Sequence, residues 1–249
     1  KNMMISDTEI AINSIQQYCT EIKFIFIHQI YSILDNRSAV DSDLEVLRKE
    51  NKFRFLSCVG LASSFTNKTV LIDVTQYMDD VTNLLKNTTI AVKFNGWISG
   101  NICSSIILRD IVPSVFSKQE VEIIVEYGFF RHSLSMEVDE CVYLISHPEL
   151  GQLTNSMTHA EKQITSLILK SKYKEISQDK LTRSIRNEDS GEPSSKRRKT
   201  LLSMSHNCTN NLSKFPVKYY LLDLLGRGKI NRERNATATD FIIRCCIDK

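Results

Sequence analysis

The segment Leu221-Leu-Asp-Leu-Leu-Gly-Arg-Gly-Lys-Ile230 shares its pattern with two earlier segments, and this repetition decides the predicted fold. The earlier copies are Leu44-Glu-Val-Leu-Arg-Lys-Glu-Asn-Lys-Phe53 and Val121-Glu-Ile-Ile-Val-Glu-Tyr-Gly-Phe-Phe130. In each copy, two apolar residues three positions apart mark one face of a helix. Four positions after the second one comes Asn or Gly, which tolerate the left-handed conformation that closes a helix. The copies begin 77 and 100 positions apart, so a repeated structural unit is predicted.

The residues before each copy predict where its helix begins. Ser38 precedes the first helix and Asp41 follows three positions later, while Ser117 and Glu120 have the same spacing before the second. This spacing is typical of a capping box. Pro216 stands just before the third helix, where a proline in the first turn is tolerated.

Each of these helices is followed by two short apolar-rich runs with polar residues between them, which predicts an antiparallel hairpin. The first strands open at Phe53, Phe130 and Ile230, and we expect all three side chains to be buried. A further helix is predicted upstream in each unit, at Ile22–Leu34, Ile102–Ile111 and Thr158–Ser171.

The order helix, helix, capped helix and two-stranded wing is typical of a winged-helix unit. The sequence therefore predicts an α+β protein, rich in helix with small antiparallel β wings. Three tandem winged-helix domains are expected over residues 8–90, 91–150 and 151–249. A polar segment rich in Ser and Asn, at about 187–213, is predicted to be a disordered insertion in the third domain. The alternative is a generic α+β protein in which the Leu and Gly spacing coincides by chance.

Charge is divided unevenly along the chain. Residues 1–149 hold 13 Lys and Arg against 19 Asp and Glu, a net charge of −6, whereas residues 150–249 hold 19 against 10, a net of +9. A basic third joined to an acidic body indicates a polyanion partner at one end, with nucleic acid the first candidate. The capped helices of the first two units are acidic, so those units are predicted to face proteins or to be structural.

The third unit is the predicted DNA-binding domain, because a winged helix places its third helix in the major groove and its wing against the backbone. The predicted DNA-contacting residues are the basic residues of this unit: Lys170, Lys172, Lys174, Arg183, Arg186, Lys218, Arg227, Lys229, Arg232 and Arg234. No pattern here indicates base readout, so binding to duplex DNA should be mostly electrostatic and weakly selective for sequence. The basic tetrad Lys196, Arg197, Arg198 and Lys199 fits a nuclear import signal and could also tether DNA.

Catalytic and metal sites are not predicted. A kinase needs a Gly-x-Gly-x-x-Gly loop, a strand lysine and His-Arg-Asp and Asp-Phe-Gly motifs, and of these the chain offers only Ala91-Val-Lys93, without partners. The five histidines lack metal-ligand spacing, so no metal, cofactor or catalytic residue is expected. The apolar runs are far shorter than the roughly 20 residues of a membrane span, so no membrane partner is expected either.

Several stretches resemble the serine/threonine-protein kinase 19 family, namely Phe26–Leu34 with Val40–Arg54, Ile168–Ile176 and Tyr220–Ile230. The resemblance runs in matching order from about residue 12 to residue 246, and the 187–213 insertion departs from the family pattern. It implies three tandem winged helices, a nuclear location and DNA binding. It also implies a role in repair of transcription-blocking DNA damage beside stalled RNA polymerase II, and it leaves the kinase label doubtful.

Together, the residues and the resemblance predict a non-enzymatic nuclear protein that binds double-stranded DNA and bridges it to the transcription-coupled nucleotide excision repair machinery. The expected partners are duplex DNA and, by resemblance, transcription-coupled repair proteins and RNA polymerase II. The alternative is a winged-helix scaffold that joins proteins without touching DNA. A serine/threonine protein kinase is a third, weaker alternative.

Overall fold

A computed structural model describes residues 5–18, 22–58, 68–101, 106–108, 112–132, 142–186, 215–234 and 240–246. The first unit contains α1 (Asp7–Tyr18), β1 (Phe24–Phe26), α2 (Ile27–Tyr31), α3 (Arg37–Lys49), β2 (Phe53–Ser57) and β3 (Thr69–Asp73). Helix α4 (Val74–Leu84) leads to the second, which contains α5 (Thr88–Gly100), β4 (Ile106–Leu108), α6 (Val112–Val115), α7 (Lys118–Glu126), β5 (Phe130–His132) and β6 (Val142–Ile145). The third contains α8 (Leu150–Lys170), β7 (Glu175–Ser177), α9 (Gln178–Arg186), α10 (Val217–Gly226), β8 (Ile230–Arg234) and β9 (Phe241–Cys245).

The fold is therefore α+β, as predicted, and the described residues repeat one order of elements three times. Each unit has a three-stranded antiparallel sheet in which the last strand lies in the middle, in the orders β1-β3-β2, β4-β6-β5 and β7-β9-β8. The first helix of each repeat begins at Asp7, Thr88 and Leu150. That each repeat is a separate winged-helix domain stays a prediction. No helix within the described ranges has the length and apolar character needed to cross a bilayer.

The repeated sequence motif closes its helix in the same way in all three units. Asn51, Gly128 and Gly228 have φ angles of 57°, 80° and 67°, the left-handed conformation that the motif predicts. The next residue in each case donates its N–H to the carbonyl of the motif's second apolar residue, with N···O distances of 3.1, 3.0 and 2.9 Å. These are the hydrogen bonds of a Schellman motif, in which the chain turns sharply out of the helix. The turn delivers Phe53, Phe130 and Ile230 into strands as buried side chains, so this prediction is confirmed.

The predicted helix starts are confirmed at two of three places. Ser117 and Glu120 form the capping box of α7, with Glu120 Oε2 2.7 Å from the Ser117 nitrogen, and Pro216 is the residue before α10. Ser38 is not a cap, because α3 begins earlier. The Asn36 side chain accepts a hydrogen bond from the Ala39 N–H at 3.1 Å and caps α3 instead.

Two of the three predicted upstream helices are wrong. The range Ile22–Leu34 divides into strand β1 and the short helix α2, and the described part of Ile102–Ile111 is strand β4. Consecutive apolar residues such as Phe24–Phe26 are buried on both faces of the chain, and such runs fit a buried strand as well as a helix. The third prediction, Thr158–Ser171, falls on α8, which begins eight residues earlier, at Leu150.

One cluster of buried apolar side chains extends through all three units, with members such as Phe26 of the first, Phe94 of the second and Ile164 of the third. A second cluster lies within the first unit and includes Leu222 of α10. Helix α10 of the third unit packs against α2 of the first. There the Tyr219 hydroxyl donates to the Phe24 carbonyl and the Gln29 side chain donates to the Tyr219 carbonyl, both at 2.9 Å. The repeats are thus packed against one another by buried apolar and hydrogen-bonded contacts.

A buried histidine lies where the first two units meet the start of the third. The His147 side chain is fully buried, its Nε2 is 3.2 Å from Asp80 Oδ2, and its Nδ1 accepts a hydrogen bond from the Glu149 N–H at 3.2 Å. An Nδ1 that accepts and an Nε2 that donates describe a neutral imidazole. Burial lowers the pKa of His147 and outweighs the carboxylates of Asp80 and Glu149, which raise it.

The free energy of unfolding should therefore fall as the pH drops below about 6.5, the pKa of an unfolded histidine. Below this pH the unfolded chain binds a proton at His147 that the folded chain does not bind. For one group, the free energy of unfolding can fall by at most about 1.4 kcal/mol per pH unit. Urea unfolding of the wild type and of His147→Gln from pH 7.5 to 5.0 measures this slope. His28, whose pKa burial also lowers, is common to both proteins, so equal slopes would contradict the role of His147.

Candidate nucleic-acid interface

The first group of predicted DNA-contacting residues lies at the end of α8. Lys170 is the last residue of α8, and Lys172 and Lys174 lie in the turn Ser171–Lys174 that leads to β7, all three exposed. The Ser171 hydroxyl donates to the Ile168 carbonyl at 2.6 Å, and the Lys174 N–H donates to the Ser171 carbonyl at 3.1 Å. These bonds close the turn, which holds its lysines outside the core.

The sheet of the third unit brings Lys229 to the same end of the molecule as this turn. Glu175 pairs with Arg244 on β9, and the Cys246 N–H donates to the Lys229 carbonyl at 2.9 Å on the other side of β9. Lys174 and Lys229 therefore flank the end of β9 from the two outer strands, roughly 10 Å apart at a strand spacing of about 4.8 Å. We call Lys170, Lys172, Lys174 and Lys229 the turn patch.

The remaining wing residues form a second group. Arg232 and Arg234 lie on the same face of β8 as Ile230, because residues two apart in a strand share a face. The Arg232 guanidinium lies 3.7 Å from the centroid of the Phe241 ring. Arg232 also lines a groove of about 500 Å³ between α1 and α10, together with Lys218. Lys218 Nζ lies 3.0 Å above the Tyr18 ring in this groove. We call Lys218, Arg232 and Arg234 the wing patch, and at about 3.4 Å per residue Arg234 lies roughly 17 Å along β8 from Lys229.

Helix α9 carries the next two predicted residues. Arg183 is exposed, and Arg186 is the last residue of the helix, with a side chain outside the described set. Lys180 is also exposed on α9 and was missed, although its spacing of three from Arg183 places both on one helical face. The tetrad Lys196, Arg197, Arg198 and Lys199 and the predicted insertion at 187–213 lie outside the described residues.

Arg227 is placed differently from the other basic residues of the third unit. Its side chain is 10% exposed, and its guanidinium lies 2.8 Å from Asp223 Oδ2 and 2.9 Å from Glu161 Oε2. Lys68 of the first unit reaches the same cluster, with Nζ 3.6 Å from Asp223 Oδ2, and burial lowers the pKa of Lys68 to about 8. Arg227 therefore belongs to a buried charge cluster between units rather than to the exposed basic surface.

The position of α10 corrects the prediction that the third unit presents its capped helix to DNA. All residues of α10 except Lys218 and Leu225 are buried, because the helix lies between its own unit and α2. The matching helices α3 and α7 each keep an exposed face, and those faces carry acidic side chains such as Asp41, Glu45 and Glu122. The exposed faces of α3 and α7 therefore have the wrong charge for a DNA groove, and the basic unit offers its turn, its wing and the exposed Lys180 and Arg183 of α9.

Ion pairs distinguish the turn patch from other cations. Lys23, Lys52 and Lys93 of the first two units pair with carboxylates, and on β9 Arg244 pairs with Glu175 and Glu233. Among the described residues, the four turn-patch lysines form no ion pair within 4.0 Å. Their charge is available to an outside anion.

The faint kinase motif has a structural explanation. Lys93 lies on helix α5 rather than on a strand, and its Nζ is 2.7 Å from Glu120 Oε2 of the α7 capping box. The hydrogen bond from Lys93 lowers the pKa of Glu120. Within the part of the chain that the structure describes, no group of three or more His, Cys, Asp or Glu side chains could hold a metal ion.

Comparison with known proteins agrees with the resemblance noted in the sequence. A family model described as inactive serine-threonine protein kinase 19 matches residues 1–232 of the 249. No curated protein sequence matches the chain significantly. Because the family match covers most of the chain, this protein belongs to the inactive serine-threonine protein kinase 19 family.

Proposed function

We propose that this chain is a non-enzymatic nuclear protein that binds duplex DNA through the basic surface of its third unit. Each of the three units is a winged helix in this proposal, with α3, α7 and α10 in the position of the third helix. The observation that carries the proposal is the turn patch, where four exposed lysines surround one end of a sheet and form no ion pair with any described carboxylate. An anionic backbone is the ligand that such a patch attracts.

The mode of binding follows from what the third unit exposes. Since α10 is buried, the helix in the position of the third helix of a winged helix is not open to enter a major groove. The turn and the wing are left to contact phosphates, which position a protein on DNA without reading its bases. Binding should therefore be steep in salt and weak in sequence preference.

The acidic units supply the second half of the proposal. Exposed carboxylates on α3 and α7 repel phosphate, so those faces are offered to protein partners. By family resemblance, these are transcription-coupled repair proteins and RNA polymerase II, and the tetrad Lys196–Lys199 directs the chain to the nucleus. The chain then bridges DNA and the repair machinery without chemistry of its own.

Fluorescence anisotropy of a labelled random-sequence duplex across a salt series tests the DNA contact. The variant Lys170→Glu/Lys172→Glu/Lys174→Glu should bind at least about 100-fold more weakly at low salt. It should also lower the slope of log K against log salt by roughly two to three, because each lost phosphate contact removes about 0.9.

A charge-matched control separates the patch from the net charge. Lys49, Lys86 and Lys118 are exposed lysines of the first two units, and changing all three to Glu alters the net charge by the same amount. This control should bind almost as well as the wild type. Equal losses in both variants would reject the patch, and no duplex binding by the wild type at low salt would leave the protein scaffold as the function.

A further inference from the structure

An aromatic side chain stands in the middle of the turn patch. Tyr173 is 71% exposed and lies between Lys172 and Lys174, at the tip of the turn Ser171–Lys174. Single exposed apolar residues are common on protein surfaces. This one differs because it is the most exposed large hydrophobic residue among those described and is flanked by two lysines that form no ion pair with a described carboxylate.

The turn holds Tyr173 in place rather than leaving it on a loose loop. Besides its two closing hydrogen bonds, the turn places Lys174 at a φ of 54°, a left-handed conformation without a glycine. This conformation is unfavourable for a residue with a side chain, and it persists where the surrounding structure determines it. The ring is thus presented to solvent by a defined backbone.

One face of the Tyr173 ring is already occupied by charge. Lys172 Nζ lies 5.2 Å from the ring centroid, within the range of a cation–π interaction. An aromatic ring between positively charged side chains is the arrangement on which proteins stack nucleic-acid bases. The lysines would hold the phosphates while the open face of the ring meets a base.

We propose that Tyr173 stacks on an unpaired base, so that the turn patch prefers a junction of duplex and single-stranded DNA over continuous duplex. Inside a paired duplex, away from its two ends, both faces of each base are covered by neighbouring bases, and a ring held on a turn cannot reach them. At a junction the terminal base offers a free face beside the duplex phosphates. This inference rests on the proposed DNA binding and names the DNA structure that the same surface recognises.

Two labelled DNAs with the same number of phosphates test this inference, one fully paired and one with a single-stranded extension. Wild type should bind the junction about tenfold more tightly than the duplex. Tyr173→Ala should lose roughly five- to 100-fold on the junction, with duplex affinity and salt slope unchanged, and Tyr173→Phe should keep the preference. Tyr18→Ala removes the other aromatic residue that is exposed among those described. Tyr18 lies beside Lys218 of the wing patch, so any loss of affinity should be equal on both DNAs and the preference for the junction should stay unchanged.

A fluorescent adenine analogue at the junction reports stacking directly, since its emission falls when an aromatic ring covers it. Quenching by wild type and Tyr173→Phe but not by Tyr173→Ala is the expected result. Equal binding of both DNAs by the wild type, or an equal loss on both DNAs in Tyr173→Ala, would overturn the stacking role while leaving duplex binding intact. Failure of the wild type to bind either DNA would overturn the proposed function itself.

Discussion

Replacing Gly226 with alanine should lower the free energy of unfolding by more than about 3 kcal/mol. Gly226 is the last residue of α10, and a Cβ atom there would lie 1.6 Å from the backbone oxygen of His28 and 2.5 Å from its carbonyl carbon. Both atoms belong to backbone, so neither can rotate away. The two helices must move apart, and the buried hydrogen bonds that Tyr219 makes with Phe24 and Gln29 are lost with the packing.

A second glycine-to-alanine change provides the control. Gly96 lies on an exposed face inside α5, and a Cβ atom added there would meet no other atom within 4 Å. Gly96→Ala should raise stability by about 0.5–1 kcal/mol, the usual gain in a helix interior. Urea unfolding followed by circular dichroism measures both variants, and a Gly226→Ala protein within about 1 kcal/mol of wild type would show that α10 and α2 do not touch as described.

Phe130→Asp should abolish cooperative folding of the second unit. The Phe130 ring is fully buried, and its centroid lies 5.3 Å from that of Phe94, 6.2 Å from Phe116 and 6.3 Å from Trp97. An aspartate there would have to ionise without a partner or stay protonated among aromatic rings, and it would also leave a cavity. The expected cost is more than about 4 kcal/mol.

Tryptophan fluorescence measures unfolding of this cluster, because Trp97 is the sole tryptophan of the chain and packs against Phe130. Phe130→Leu, which keeps an apolar side chain, should cost about 1–2 kcal/mol. His132→Asp introduces the same carboxylate at an exposed position on the same strand and should stay within about 1 kcal/mol of wild type. A Phe130→Asp protein with native emission and a cooperative transition would contradict the burial of this cluster.

Local sequence chemistry predicted the elements whose causes lie within a few residues. The left-handed residues Asn51, Gly128 and Gly228 and the strands that follow them were predictable because the Schellman closure depends only on the end of the helix. The capping box of Ser117 was predictable for the same reason. Strands β1 and β4 were not, since their pairing partners β3 and β6 lie far along the chain, and a short apolar run does not reveal its partner.

In the candidate site, too, some residues could be predicted from local sequence and others depend on distant parts of the chain. Exposed lysines beside a turn, such as Lys172 and Lys174, could be chosen from charge density alone. Arg227 could not be separated from them, because the carboxylate of Glu161 and the ammonium of Lys68 that complete the buried cluster come from distant parts of the chain. Helix α10 differs, because its sequence is apolar on all sides except for Lys218 and Asp223, a pattern typical of a helix buried on every face. Only the tertiary structure shows that α2 of the first unit covers its second face.

The sequence by itself determined the α+β class, the threefold repetition, the helix-closing turns and the concentration of positive charge in the last hundred residues, because these depend on local backbone preferences and on composition. Only the tertiary structure decided which charges remain free. Packing α10 against α2 brought Lys68, Asp223 and Arg227 together in a buried cluster. A buried charge without a partner is strongly unfavourable, so these side chains pair with one another. The same packing left the turn Ser171–Lys174 and the β8 wing on the surface, and these are the parts that can meet an outside anion.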